Sequence, residues 1–160
     1  MLREGRRLAI DVGKARVGLA ISDFHAILSS PLVTVNRLEN LTETVQNCLA
    51  ATDELGELLE IYVGIPINLK GAITESTSDA LVFAEEIRRQ AQVPVYLIDE
   101  RMTTSLAQSQ LRQIGKSQRD ARSTIDQMAA VAILEYALNS ERASEQTPGV
   151  SIEEWKEQHE

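Results

Sequence analysis

The chain has 160 residues, 43% hydrophobic and 25% charged, proportions that suit one ordinary globular domain with a sizeable core and argue against wholesale disorder. Lysine and arginine total 16 against 24 aspartates and glutamates, and the resulting net charge of −8 disfavours partners recognised by bulk positive charge, such as membrane surfaces or nucleic acid. Cys48 is the only cysteine, which excludes an intramolecular disulfide and a cysteine-based zinc cluster, and no apolar run reaches the roughly 18–20 residues of a membrane helix. The N-terminal arginines are followed by a stretch broken by Asp11, Lys14 and Arg16, so no signal peptide is expected and the chain reads as cytoplasmic.

Arg7–Val12 alternates, with Leu8, Ile10 and Val12 on one face and Ala9 and Asp11 on the other, and Gly13 punctuates this first strand. Arg16–Ser22 repeats the pattern through Val17, Leu19 and Ile21, and the short gap between the two predicts a hairpin. Pro31–Val35 is a third strand with Pro31 at its first position. Leu38, Leu41, Val45, Cys48, Leu49, Leu55 and Leu59 recur at helical spacing, which predicts a helix over about 39–59 with Cys48 packed in the core. Glu60–Pro66 reads as a strand buried on both faces, implying helices over a partly parallel sheet. A loop over Asn68–Ser76 and a helix over about 78–90 lead to a fifth strand, Val93–Ile98, which ends in Asp99-Glu100. Thr103 or Thr104 can cap a helix running to Gly115, and a basic connection over Lys116–Arg122 precedes a last long helix from Ser123 to about Asn139. A domain over 1–140 is thus followed by an acidic, loosely ordered tail over 141–160, with Ile152 and Trp155 available to dock it. The order β-β-β-α-β-α-β-α-α predicts an α/β fold, a mixed five-stranded sheet flanked by helices, which is the order of the ribonuclease H-like arrangement.

The charge is unevenly spread. Residues 1–20 carry +3 and residues 101–124 carry +4, the latter from Arg101, Arg112, Lys116, Arg119 and Arg122, whereas 21–60 and 125–160 carry −6 each and 61–100 carry −3. An acidic mean of this kind can conceal a basic face assembled from two distant segments, although each segment by itself is equally an ordinary solvated surface.

Four acidic residues, from two strands and a helix start, are candidates for chemistry. Asp11 lies on an otherwise apolar strand, where an ionised carboxylate needs either dedicated hydrogen-bond donors or a metal. Asp99 and Glu100 close another strand at its C-terminal end, where open α/β sheets place ligands; an exposed strand end paired with Arg101 is the plainer alternative. Asp126 follows Ser123-Thr124-Ile125 with the spacing of a capping box, but it shares a helix face with Ala129 and Ala130, which permit close packing on a sheet. Converging at one sheet edge, these oxygen ligands would suit Mg²⁺ or Mn²⁺ rather than zinc, and the only histidines, His25 and His159, lie outside the motifs. Carboxylate-held ions about 3.5–4 Å apart are the two-metal device of phosphodiester cleavage. Gly13-Lys14-Ala15-Arg16-Val17-Gly18 has the glycine spacing of a P-loop but continues with Leu19-Ala20 and joins two strands, so it is not one.

Asp11-Val12-Gly13-Lys14-Ala15-Arg16-Val17-Gly18-Leu19-Ala20-Ile21-Ser22-Asp23 resembles the opening motif of the YqgF-type family, bacterial pre-16S ribosomal RNA nucleases similar to Holliday junction resolvases. Val63-Gly64-Ile65-Pro66-Ile67-Asn68-Leu69-Lys70-Gly71, Asp99-Glu100-Arg101-Met102-Thr103-Thr104 and Ile125-Asp126-Gln127-Met128-Ala129-Ala130, the last followed by Ile133-Leu134, resemble its second, third and fourth motifs, so that the likeness covers about 7–139. The resemblance implies a ribonuclease H-like fold and a cytoplasmic, metal-dependent endonuclease that processes the 5′ end of 16S ribosomal RNA precursor. It also implies an acidic site of Asp11, Glu100 and Asp126, with Asp99 as an auxiliary or substitute ligand and Arg16 and Arg101 beside a phosphate. Ala15 stands where many members have lysine, and Lys70 where an acidic residue is common; both departures bear on the substrate rather than on the metal ligands.

Three readings follow. A two-metal nuclease would cleave structured nucleic acid, either pre-ribosomal RNA or four-way junction DNA, and would lose activity on Asp11→Asn. A non-catalytic ribosome-assembly factor would bind nucleic acid in a salt-sensitive way through Lys14, Arg16, Arg101, Arg112, Lys116, Arg119 and Arg122 without metal-dependent turnover. A phosphotransferase of the actin and sugar-kinase type needs two such lobes, and the chain has length for one. A two-fold symmetric junction invites a dimer, but no segment marks an interface, so a monomer or weak homodimer is expected.

Overall fold

The structure, a computed structural model, describes residues 2–103 and 118–159, of which 118–124 as backbone alone. Alternation forms the first strands as expected: β1 (Arg6–Val12) and β2 (Arg16–Ser22) make an antiparallel hairpin in which Asp11 lies opposite Gly18. β3 (Ser29–Asn36) pairs antiparallel with β2 and lies at the sheet edge. Pro31 is its third residue rather than its first, and is tolerated because it falls at a register shift on an edge strand.

Helix α1 (Leu41–Ala50), capped by the Asn40 side chain, is shorter than its apolar spacing predicts. A 3₁₀ turn over Asp53–Leu55 and Gly56 at φ +88° redirect the chain into β4 (Leu58–Ile65). α2 (Glu75–Ala91) starts at a Thr74–Thr77 capping box, and β5 (Val95–Asp99) follows. β1, β4 and β5 are mutually parallel, so the C-terminal ends of the strands carrying Asp11, Ile65 and Asp99 open on one side of the sheet.

Two corrections concern the C-terminal region. The last long helix, α3 (Gln118–Ser144), begins before Ser123, so Ser123-Thr124-Ile125-Asp126 is not a capping box and Asp126 lies within the helix. Residues after 144 are not a loose tail: β6 (Val150–Ser151) adds antiparallel to β5 as a sixth strand, and α4 (Ile152–His159) buries Ile152 and Trp155. Two apolar anchors at helical spacing outweigh the polar composition around them. The predicted helix from Thr103 or Thr104 to Gly115 lies outside the described residues.

The sheet, in order β3-β2-β1-β4-β5-β6, separates two cores. One contains Leu8, Ile10, Ile61, Val63 and Leu97 under Val45 and Cys48 of α1, Phe83 and Ile87 of α2, and Trp155 of α4. Burial there pushes the Cys48 thiol up to about 12, leaving it an inert packing group. The other core sets Ala9, Ala20, Tyr62 and Ile98 against Ala130, Ile133, Leu134 and Ala137 of α3. The alanines on both sides let this helix lie close to the sheet, which matters because α3 carries Asp126.

Candidate active site

Asp11 continues the face of β1 that Ala9 gives to α3, and it is half-buried beyond the end of that core. After β5 the chain tightens into a 3₁₀ turn, Glu100–Met102, and the Glu100 side chain shares a hydrogen bond with Asp11. The space for this carboxylate exists because residue 64 is glycine: a Cβ there would lie 2.6 Å from Glu100 Oε1 and 2.5 Å from Ile133 Cδ1. Burial, reinforced by the Asp11 charge and the shared hydrogen bond, pushes the Glu100 carboxyl up to about 9. Asp11 is also raised, by burial first and by the charge of Asp126, against the hydrogen bond with Glu100. Two carboxyls in contact cannot both ionise cheaply, so at neutral pH the pair holds a proton between them.

Asp126 arrives from α3, whose backbone rests on β2 at Gly18, directly across the hairpin from Asp11. Its Oδ2 accepts a hydrogen bond from Arg16 Nε at 2.8 Å, an ion pair between residues 110 positions apart. Gln127 donates to Thr34 Oγ1 at 3.0 Å and ties the same turn of helix to β3.

Asp99 does not join this group. It caps the 3₁₀ turn by accepting from the Arg101 amide at 2.9 Å, and its Oδ2 lies 2.6 Å from Arg101 Nη2. Against the upward push of burial, these bonds hold the Asp99 carboxyl below the usual carboxylate range. Lys14 is exposed in the β1–β2 turn and lines a cavity of about 460 Å³ with Arg37 and Asp79. Arg112 and Lys116 lie outside the described residues, and Arg119 and Arg122 are described only as backbone of α3. Arg37, not singled out in the sequence, donates to the Gly13 carbonyl and pairs with Asp79, so it anchors the turn that carries Lys14. Its signal is tertiary, since Asp79 is 42 residues away.

Carboxylates of three different elements are thus gathered at the C-terminal edge of the parallel strands, Asp11 hydrogen-bonded to Glu100 and within the field of Asp126. Hard oxygen donors of this kind fit Mg²⁺ or Mn²⁺ chemically, and the glycine at 64 reserves room for one of them. Among the described residues, no three acidic, histidine or cysteine side chains already stand at metal-holding spacing: Asp11 and Glu100 bond to each other and Asp126 to Arg16.

The class defined by this sheet order and its acidic edge is that of the ribonuclease H-like α/β proteins. Among solved structures the chain is similar to Thermus thermophilus RuvC, both in complex with Holliday junction substrate (TM-score 0.51, covering 90% of this chain and 99% of that one) and in a second structure (TM-score 0.50), each at 16% identity. The chain belongs to the RuvX family, described as Holliday junction resolvase, whose pattern it matches over residues 5–140. A relative from Clavibacter michiganensis, named "Putative pre-16S rRNA nuclease", is 44% identical over 94% of this chain and 93% of its own length. Relatives of the same name from Streptomyces avermitilis (43%, covering 95% and 97%) and Mycobacterium tuberculosis (45%, covering 88% and 82%) are similar to it as well. Among the described residues no helix is long and apolar enough to cross a membrane.

Proposed function

We propose that the chain is a cytoplasmic, metal-dependent endonuclease that hydrolyses phosphodiester bonds of structured nucleic acid, with the 5′ end of 16S ribosomal RNA precursor as its substrate. The observation that carries this reading is the half-buried Asp11–Glu100 carboxyl pair with the charge of Asp126 beside it, a concentration of acidity that a divalent cation would relieve. Membership of the RuvX family and the name shared by its relatives support it.

In this reading Asp11, Glu100 and Asp126 hold Mg²⁺ or Mn²⁺. When bound, the metal supplies the activation of water and the stabilisation of the leaving oxygen that phosphodiester hydrolysis needs, in the two-ion arrangement carboxylate clusters favour. Asp99 acts as a positioning residue rather than a ligand, because it orients the Arg101 guanidinium at the same edge. Arg16, paired with Asp126, brings a second guanidinium beside the carboxylates, and the two are planar donors for the phosphate oxygens of a strand laid across the site. Lys14, in the turn next to Arg16, extends this cationic rim.

Cleavage of a DNA four-way junction is the second reading, favoured by the description of the family. The test offers precursor RNA and a four-way junction separately, each with Mg²⁺, with Mn²⁺ and with EDTA. Cleavage of the RNA that requires the metal and is lost in a folded Asp11→Asn variant is expected. Preference for the junction would favour the second reading, and binding without turnover on either substrate would leave a non-catalytic assembly factor.

A further inference from the structure

Beside the carboxyl pair lies a second concavity that the hydrolytic reading touches only through Asp99 and Arg101. A cavity of about 380 Å³ opens where β6 stops and α4 packs back on the sheet. Its floor is apolar, from Ile65, Ile67 and Ile98; Trp155 and His159 of α4 line it, with Gln158 and Tyr136 adding polar groups. The two rings are stacked, centroids 4.0 Å and planes 15° apart, and His159 Nδ1 lies 2.9 Å from the Trp155 carbonyl oxygen, so they form one aromatic wall. Asp99 and Arg101 line the cavity as well, and the residue between them is Glu100, whose side chain goes to Asp11 instead. Cavity and carboxyl pair are therefore adjacent along the chain, Glu100 belonging to the pair and its two neighbours to the cavity.

We propose that this cavity receives one unpaired nucleobase of the substrate strand, next to the phosphate held at the acidic site. The inference rests on the nucleic-acid reading above and narrows its substrate class. An apolar floor, an aromatic wall and a few polar groups at the edge are what a flat heteroaromatic ring requires. A base stacked inside a duplex cannot reach it, so the favoured substrate carries a single-stranded or flared nucleotide flanking the scissile bond. The C-terminal segment then contributes to specificity as well as closing the sheet edge, because α4 supplies the aromatic wall.

Trp155 is the only tryptophan of the chain, so its fluorescence reports on this cavity in the unmodified protein. The probes are an end-labelled RNA hairpin with a short single-stranded flank and a blunt hairpin with the same stem, titrated in EDTA, with binding followed by label anisotropy. The flanked hairpin is expected to change Trp155 emission saturably and the blunt one to leave it unchanged. Replacing Gln158 and His159 together by alanine should weaken flanked-hairpin binding about tenfold, the scale of one lost base stack, and blunt-hairpin binding far less. Unchanged Trp155 emission at anisotropy saturation, equal weakening of both hairpins, or failure of both to bind would overturn the proposal. Adding Mn²⁺ separates the two claims: cleavage without a Trp155 response removes the base site alone, whereas a Trp155 response without cleavage removes the nuclease reading and leaves the base site standing.

Discussion

A Cβ on Gly18 would lie 2.1 Å from the main-chain oxygen of Asp126 and 2.4 Å from its carbonyl carbon, because α3 rests on β2 at that glycine. The carboxylate of Asp126 is therefore placed by the absence of a side chain on a strand two elements away in the sheet order from β4. Backbone cannot swing aside as a side-chain end can, so Gly18→Ala must displace the helix. We expect a loss of about 1–3 kcal/mol or more in urea unfolding and a fall in cleavage beyond what the unfolded fraction explains. An unchanged unfolding midpoint would refute the assignment.

Gly64 poses the opposite case, since the atoms a Cβ would meet there are the ends of the Ile133 and Glu100 side chains. Both can give way. Gly64→Ala should therefore cost stability only modestly, under about 1.5 kcal/mol, while cleavage drops by about 10²-fold as Glu100 leaves its place beside Asp11. Thermal denaturation and initial rates on one substrate check both halves.

The Glu100 carboxyl, at about 9 against an ordinary 4.5, also predicts a pH dependence. Between those values the folded protein keeps a proton that the unfolded chain has released, so metal-free stability is fullest below pH 4.5, declines as pH rises and levels off above 9. Asp11 shifts in the same direction. Melting temperatures measured in EDTA from pH 5 to 9 should fall, and Glu100→Gln should remove most of that slope. Equal slopes in the two proteins would contradict it.

At the far end of α3, Glu141 accepts from the fully buried Arg7 at 3.2 Å and from Arg3 at 2.5 Å, while Arg3 also reaches the buried Glu60. Arg7 Nε and Nη1 have no hydrogen-bond partner among the described residues, so Glu141 is its only carboxylate there. Glu141→Ala would strand that charge, at a cost of about 3–5 kcal/mol in urea unfolding. A loss below about 1 kcal/mol, the scale of an exposed pair, would show that the network does not clamp α3.

Much of the architecture is legible along the chain, for reasons that can be named. β1 and β2 declare themselves by alternation and β4 and β5 by apolar runs; Leu8 and Ile10 fall on one face and Ala9 on the other as the period requires. β6 does not, because two residues carry no period. Ser123-Thr124-Ile125-Asp126 has the letters of a helix start but lies inside a helix that begins at Gln118, since a local cap pattern says nothing about the turn before it. Gly18 and Gly64 were open to reading as close-approach positions, being glycines inside strands, but what approaches them was not.

The sequence by itself determined the family resemblance, the order and faces of the principal strands, and the short roster of acidic residues with basic neighbours. Only the tertiary structure decided which carboxylates meet. Asp99 and Glu100 are adjacent, and nothing local separates them; the 3₁₀ turn after β5 sends Glu100 to Asp11 and leaves Asp99 with Arg101. The net charge of −8 likewise does not say where the cations stand; folding sets Arg16 beside Asp126, 110 positions away. The physical reason is the same in both cases: periodicity assigns a side chain to a face, whereas contact depends on the register of parallel strands and the seat of a helix, which residues far apart in the chain set together.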